Sequence, residues 1–316
     1  MLPDCTITVA ICTYNRYDVL PKAIESVLAQ SLPKSEFHII VIDNSPKNEK
    51  AQEFRDKYHG LENIHYHIEP IRGLSNARNV AAKMCKSEFI AYLDDDAIAS
   101  RDWLSSILKA FNKYGDKLAV VAGRVLPIWV KPRPAWLPDA ALGALSVVDW
   151  GGGLRLMKDA EWGAGANYAI RVQALLDVGG FDTSLGRKGS NKILMSNEEA
   201  QVTNLLKDAG YKVAYAPAAC VDHMVDPSRI TRGWLRKRMA WQAVSDIFEA
   251  PDDVFDDMDS TWDGLLAFMA ELPPHLRTVR GLFTAIKDPD LTHEQIGAYY
   301  NVIILLLGGF QLDGKN

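Results

Sequence analysis

Short apolar runs along the chain alternate with stretches whose apolar positions recur every three or four residues. The first run, Ile7-Thr8-Val9-Ala10-Ile11-Cys12, is rich in β-branched residues and stops at Thr13-Tyr14-Asn15-Arg16, which predicts a strand and the loop after it. Leu20, Ala23, Ile24, Val27 and Leu28 then share a helical face, with Asp18 as the expected N-cap and Pro21 in the first turn. A second strand, Phe37 to Ile42, ends at Asp43-Asn44-Ser45-Pro46, and a third is expected over Ile64 to Ile68. Arg72-Gly73 leads into a helix with Ala77, Val80, Ala81, Met84 and Cys85 on one face. The fourth strand, Phe89-Ile90-Ala91-Tyr92-Leu93, delivers Asp94-Asp95-Asp96 to its C-terminal end. A helix around Trp103, Leu104, Ile107, Leu108 and Phe111 precedes a fifth strand, Leu118 to Ala122. This alternation predicts right-handed βαβ units and a doubly wound, mainly parallel α/β sheet, whose ligands bind beyond the carboxyl ends of the strands.

The rhythm breaks at residues 127–138, where four prolines in twelve residues argue against a central strand or regular helix and predict an ordered flap carrying Trp129 and Trp136. Beyond Gly151-Gly152-Gly153 come Gly165-Ala166-Asn167, a helix, and the turn Gly179-Gly180-Phe181-Asp182. Glu198-Glu199 opens an amphipathic segment ending at Gly210, and a strand from Lys212 to Ala216 leads through Pro217 to Val221-Asp222-His223. From about Pro227 the composition changes. Arg229, Arg232, Arg236, Lys237 and Arg238 are followed by an acidic stretch from Asp246 to Asp263, the pattern of a solvated helix with an acidic loop, or of a basic face for phosphates or anionic lipid.

With 316 residues and 48% hydrophobic composition the chain can bury a sizeable core, and a net charge of −5 argues against a nucleic-acid partner. Four scattered cysteines without metal-type spacing fit reduced thiols of a cytoplasmic protein. Met1-Leu2-Pro3-Asp4 has neither a basic n-region nor an apolar h-region, so no secretory signal is expected. The apolar run Val302 to Leu307, extended through two glycines to Phe310, is short for a membrane span and reads as a core helix or a surface anchor.

Three adjacent carboxylates at a strand end repel one another unless a cation compensates, and a hard divalent ion completed by phosphate oxygens is the simplest remedy. Taken alone, the same residues could form an acidic turn capping the next helix. Five motifs in order resemble a family 2 glycosyltransferase of the GT-A fold: Thr13-Tyr14-Asn15-Arg16, Asp43, Gly73-Leu74-Ser75-Asn76-Ala77-Arg78-Asn79, the Asp-x-Asp of Asp94 and Asp96, and Glu198-Glu199 with its helix.

The resemblance spans roughly residues 6 to 225. It implies a catalytic domain over 1–226, with a nucleotide-binding half to 123 and an acceptor half from 124, followed by a mainly helical extension over 227–316. Thr13, Tyr14, Asn15, Arg16 and Gly73 would border the donor nucleotide, and Asp43 would accept a hydrogen bond from the base, which favours a UDP-sugar. Arg78 would lie near the diphosphate or brace the Asp-x-Asp loop, with a structural salt bridge as the alternative. Asp94 would contact ribose or the cation's shell, Asp96 would ligate Mn²⁺ or Mg²⁺ directly, Asp95 has a lesser role, and His223 would join the metal site. Asn167, Gly180, Phe181 and Asp182 match the region of acceptor and donor sugar. Ala97 stands where many relatives carry a further acid, and Asn44-Ser45-Pro46 also departs from their pattern.

Glu199 aligns with the catalytic base, where the family usually has the aspartate of a Glu-Asp pair; Glu198 could tune it or take its place. The implied activity is metal-assisted, inverting transfer of a sugar to a hydroxyl of a glycan or lipid-linked acceptor, in polysaccharide or glycoconjugate synthesis, by a cytoplasmic protein in peripheral contact with the inner membrane face. Two rival readings are a non-catalytic nucleotide- or glycan-binding module and a sugar nucleotidyltransferase. The latter usually carries a glycine-rich first loop that Thr13 to Arg16 lack.

Overall fold

The computed structural model describes residues 5–188 and 193–313. Met1 to Asp4, read above for a secretory signal, lie outside them. The elements in chain order are β1 (Ile7–Thr13), α1 (Leu20–Leu28), β2 (Phe37–Asp43), α2 (Glu49–Tyr58), β3 (Ile64–Ile68), α3 (Leu74–Met84), β4 (Phe89–Asp94), β5 (Ala97–Ala99), α4 (Trp103–Tyr114) and β6 (Leu118–Trp129). They continue with β7 (Arg155–Leu156), β8 (Asn167–Arg171), α5 (Val172–Asp177), α6 (Glu198–Asp208) and β9 (Lys212–Val225).

The sheet runs β3-β2-β1-β4-β8-β6-β9-β5, with β7 paired to β9. β3, β2, β1 and β4 are parallel, and β8 is antiparallel to both its neighbours, β4 and β6. Successive strand side chains point to opposite faces. Ile7, Val9 and Ile11 therefore pack with Leu20, Ile24 and Val27 of α1 and Trp103, Leu104 and Ile107 of α4. Ala10 joins Ile40, Ile42, Ile90 and Tyr92 on the other face, against α3, α5 and α6. Burial on both faces is why these strands read as unbroken apolar runs.

Four details differ from the sequence reading. The N-cap of α1 is Val19 rather than Asp18; the Arg16 carbonyl takes the backbone N–H of Val19 and of Leu20. Helix α2 was not anticipated, because it places only Ala51, Phe54 and Tyr58 inward among charged residues. Strand β6 continues through Pro127 to Trp129, since its pairing with β8 covers only Val120–Ala122 and the ring lies beyond the bridge from Val125 to Val148. Strand β9 continues through Pro217, which sits between the residues that pair with β7 and those that pair with β5.

The chain divides into two compact units: Met1–Ile128 with Ser146–Ser190 and Glu198–Met224, and Trp129–Leu145 with Asn191–Asn197 and Val225–Asn316. The flap from Trp129 thus groups with the C-terminal residues, where the sequence reading had kept it in the acceptor half. The second unit holds α7 (Arg232–Glu249), α8 (Pro251–Phe255), α9 (Met258–Glu271), α10 (Val279–Leu282) and α11 (Pro289–Asp313). Its core gathers Phe268, Leu272, Leu282, Ile286 and Ala298. Ile304 of the late apolar run is fully buried, and no helix among the described residues is long and apolar enough to cross a membrane. The side chain of Phe310 falls outside the described residues.

His38 on β2 is 3% exposed and neither ring nitrogen has a hydrogen-bond partner. Burial, aided by nearby His65, pushes its pKa down from 6.5 to about 4. Both states are neutral above pH 6.5, and on acidification the unfolded chain takes up the proton first, so stability falls from about pH 6.5 towards pH 4. Comparing urea midpoints of the wild type and His38→Val across this range should show the wild type losing stability relative to the variant as pH falls; parallel curves would exclude this contribution.

Candidate active site

Strand register levels the ends of three neighbouring strands. Thr13 stands beside Asp43 across β1 and β2, and Cys12 beside Asp94 across β1 and β4. The Thr13 hydroxyl donates to Asp95 Oδ2 at 2.7 Å. Arg16 spans Asp95 Oδ1 at 3.1 Å and Asp96 Oδ2 at 2.7 Å. Antiparallel pairing of β5 with β9 sets Ala97 opposite His223 and brings His223 Nε2 to 3.3 Å from Asp96 Oδ1.

Asp94, Asp96 and His223 each offer a ligand atom, all within 4.8 Å of one another. Two carboxylates with an imidazole suit Mn²⁺ well and Mg²⁺ less naturally, and His223 Nδ1, buried without a partner, leaves the ring's tautomer unpinned from that side. Burial opposes the Asp96 charge, but His223 and Arg16 outweigh it and hold this carboxyl below its ordinary range. Asp95 goes the other way: burial and the neighbouring Asp96 charge push it up to about 8 despite Arg16. Burial also raises Asp94, against the pull of Arg78. One member of the triple therefore keeps its charge most firmly, and it is the one touching the histidine.

Arg78, 2% exposed on α3, joins this end of the sheet to α6. Its Nη1 donates to Glu198 Oε1 at 2.8 Å and to Glu199 Oε1 at 2.7 Å, and its Nη2 lies 3.8 Å from Asp94 Oδ1. Tyr92 and Phe181 flank the guanidinium, with ring centroids at 5.8 and 5.6 Å. Burial disfavours the Arg78 charge, yet Glu199, Glu198 and Asp94 together raise its pKa. Its short hydrogen bonds thus go to the two glutamates of α6, and Asp94 of the acidic triple stands further off. Glu198 is 3% exposed, Oε2 has no partner, and burial with the adjacent Glu199 pushes its pKa up to about 7. The Glu199 side chain keeps 16% exposure. Both sit in the first turn of α6, where the helix N-terminus favours negative charge.

Gly165 makes room for this cluster. A Cβ built there would collide with Glu199 Oε1 and Arg78 Nη2. Gly165→Ala should therefore lower unfolding stability by about 1–3 kcal/mol, the usual cost of overpacking. Gly153→Ala, whose Cβ meets nothing within 4 Å, is the control in the same urea titration. Equal midpoints for the two variants would refute the collision.

The loops that follow β1 and β2 are held by local hydrogen bonds. Asn15 adopts a positive φ of 57°; its N–H donates to Ser45 Oγ at 2.7 Å and its Oδ1 accepts from Asn48 Nδ2 at 2.8 Å. The Tyr14 ring lies 5.2 Å from the Arg72 guanidinium. Asp43 is fully buried: Oδ2 accepts the hydroxyls of Tyr17 at 2.8 Å and Tyr66 at 2.6 Å, and Oδ1 accepts the Ser45 N–H at 2.9 Å. Asn44 was read only as a departure from the family pattern. Its Nδ2 donates to the carbonyls of Glu69 and Ile71 and its Oδ1 accepts the Gly73 N–H, so it organises the loop into α3. Gly73 caps that helix at φ 143°, ψ 135°, a conformation open essentially to glycine alone.

Asn167 was expected in the region of acceptor and donor sugar. It is 1% exposed; Oδ1 accepts Trp103 Nε1 and Nδ2 donates both its hydrogens, to the carbonyls of Arg124 and Ala219, so its amide ties the sheet. Gly180 has φ 82°. Phe181 exchanges two hydrogen bonds with the Asn79 side chain, at 2.7 and 2.8 Å, which fixes the turn against α3. Asp182 is exposed and its Oδ1 accepts the Ser184 N–H, as a turn cap does. The backbone hydrogen bond from Ser184 lowers its pKa. Sequence reasoning passed over Asn79 and Gly165 as individual residues, although both lie inside motifs it had marked.

Among known proteins, residues 8–139 match the family model described as glycosyl transferase family 2. A glucosyl-dolichyl phosphate glucuronosyltransferase of Haloferax volcanii is 30% identical over 242 residues, covering 76% of this chain and 75% of that protein. The succinoglycan biosynthesis protein ExoM of Rhizobium meliloti is 28% identical over 236 residues, covering 73% and 71%. Among solved structures, a mannosyltransferase of Pyrobaculum calidifontis in complex with GDP-Man and Mn²⁺ superposes with a TM-score of 0.54 at 16% identity, covering 98% of this chain and 74% of that one. The sheet is therefore of the GT-A type.

Proposed function

Because the chain belongs to glycosyl transferase family 2, we propose that it moves a sugar from a nucleotide-diphosphate donor, a UDP-sugar, to a hydroxyl of a glycan or lipid-linked acceptor with inversion at the anomeric carbon. One observation carries the reading: Arg78 binds Glu199 and stands beside Asp94, so a candidate base and a candidate metal site share one charge cluster.

In this reading Asp96, Asp94 and His223 hold a divalent cation, Mn²⁺ or Mg²⁺, which when bound neutralises charge growing on the leaving diphosphate. Glu199 removes the acceptor proton. Its Oε1 is taken up by Arg78, which aims the carboxylate, and its exposure exceeds that of Glu198. Glu198, raised towards neutral pH, holds a proton for part of the time and limits the negative charge beside Glu199. Thr13, Arg16 and Asp95 fix the acidic loop, while Tyr14, Asn15 and Gly73 border the nucleotide. Any contact from Asp43 to the base would come from Oδ1, which accepts one hydrogen bond where Oδ2 accepts two. Gly180, Phe181 and Asp182 form the turn on the sugar side.

The Haloferax relative's name specifies a dolichyl phosphate substrate, which supports a lipid-linked acceptor and peripheral contact with a membrane. The test is a thermal melt with UDP, GDP, CDP and dTDP, each with Mn²⁺, Mg²⁺ or chelator. One nucleotide should raise the melting temperature only with metal, and Asp96→Asn should lose that increment, from a lower ligand-free melting temperature because Arg16 and His223 lose the charge they face. No shift with any pairing would remove the donor site from this reading.

A further inference from the structure

Between Glu271 and Asp288 the chain carries Arg277, Arg280 and Lys287 and no carboxylate, although the whole protein has a net charge of −5. The short helix α10 in this segment leaves Val279 74% and Phe283 54% exposed. The two are four residues apart, one helical turn, and Arg280 is exposed between them in sequence. Leu282 and Ile286 of the same segment point inward to the core with Phe268 and Leu272, so the segment is anchored while Val279 and one side of Phe283 stay outward.

The anchoring is firm. Arg277 donates to the carbonyls of Leu272 and Ala270 at 3.0 and 2.8 Å. Gly281 is so close to the Leu276 carbonyl that a Cβ would collide with it. Phe283 stacks on Tyr299 at 6.2 Å, and the Arg236 guanidinium lies 5.5 Å from the Phe283 centroid and 5.9 Å from that of Tyr299. Arg232 extends the basic edge, donating to the Ile286 carbonyl and lying 4.2 Å from the Trp136 ring. Exposed apolar side chains on a rigid base, ringed by arginines, have the makeup of a surface that sits at the boundary of lipid headgroups and acyl chains.

We infer that this segment is the docking surface for an anionic lipid bilayer, with Val279 and Phe283 entering the interface and Arg280, Lys287, Arg236 and Arg232 meeting lipid phosphates. The inference rests on the proposed membrane contact and gives it a location. Charge complementarity selects the occupant: between Glu271 and Asp288 the segment carries cations and no carboxylate, whereas among the unit's other exposed apolar side chains Trp262 and Leu266, at 50% and 49%, lie on α9 beside Asp259 and Asp263, and Phe248, at 62%, directly precedes Glu249. Within the late apolar run Ile304 is fully buried and Leu306 is 57% exposed.

The test is flotation of the full chain with phosphatidylcholine vesicles, with and without phosphatidylglycerol. The wild type should float only with the anionic vesicles, and less as salt rises. Val279→Asn should cut the bound fraction about tenfold, the loss of one buried apolar side chain. Arg280→Gln should cut it about fivefold, the share of one basic residue near a charged membrane. Both positions are exposed, so melting temperatures and the nucleotide-and-metal shift should stay at wild-type values, which separates failure here from failure of the donor site. A wild type that floats with neither vesicle overturns the membrane contact itself. Variants that float as the wild type does overturn the location. A dimer in solution that Val279→Asn dissolves, without vesicle binding, would assign the surface to a second copy of this chain instead.

Discussion

Glu199→Gln is expected to lower sugar transfer by about 10²- to 10⁴-fold, the usual worth of a positioned general base. Glutamine keeps an oxygen to accept from Arg78 at the place where Glu199 Oε1 accepts at 2.7 Å, so the cluster should stay folded and the nucleotide-and-metal melting shift should persist. What disappears is the ability to take a proton. The measurement pairs transfer from a radiolabelled donor with the melting shift on the same preparation. Full activity in the variant would move the base elsewhere, and Glu198→Gln is the next to assay, since Glu198 accepts from the same Arg78 nitrogen at 2.8 Å. Loss of both transfer and the melting shift would make Glu199 a support of the donor site instead.

Arg78→Met is expected to cost about 3–5 kcal/mol of stability, because removing one partner of a buried ion cluster leaves the others uncompensated. Three carboxylates, those of Asp94, Glu198 and Glu199, then face one another with no cation between them. Their protonation in the folded variant becomes favourable, and a folded-state pKa raised above the unfolded value costs stability as pH rises. The deficit relative to wild type should therefore be smaller at pH 5 than at pH 8 in urea denaturation. Arg78→Lys should recover only part of it, since an ammonium cannot present the planar fork that reaches both glutamates and Asp94. A deficit below about 1 kcal/mol, the worth of an exposed ion pair, would contradict this account.

The sheet was legible because strands buried on both faces must be apolar throughout, as Phe89 to Leu93 are, and because α1, α3 and α4 each carry a single apolar stripe. Helix α2 escaped for the converse reason: Asn48, whose side chain accepts the Lys50 N–H, marks its start, but the stripe of Ala51, Phe54 and Tyr58 is diluted by charge. Prolines misled where pairing decides the outcome, since Pro127 and Pro217 both lie inside strands at places that sequence does not reveal. At the candidate site, chemistry-bearing residues were legible individually and their partners were not. Nothing in the string of letters says that Arg78 spends its charge on Glu198 and Glu199, about 120 positions away along the chain, or that the Asn167 amide is bonded to Trp103 and two carbonyls. Such facts depend on strand register and on missing side-chain atoms, as at Gly165.

The pairing of Ala97 with His223 has a consequence for how the protein can be handled. A strand that slips by one residue turns every side chain to its opposite face. Were β9 to anneal against β5 one place out, Asp222 or Met224 would take the position of the imidazole, and the three ligand atoms now within 4.8 Å would disperse. If the proposed cation site is right, metal-dependent protection from heat would then serve as a proofreading assay for refolded or redesigned versions of this chain: preparations with native spectra but a mispaired strand would show no response to Mn²⁺, and could be discarded before any transfer assay is run.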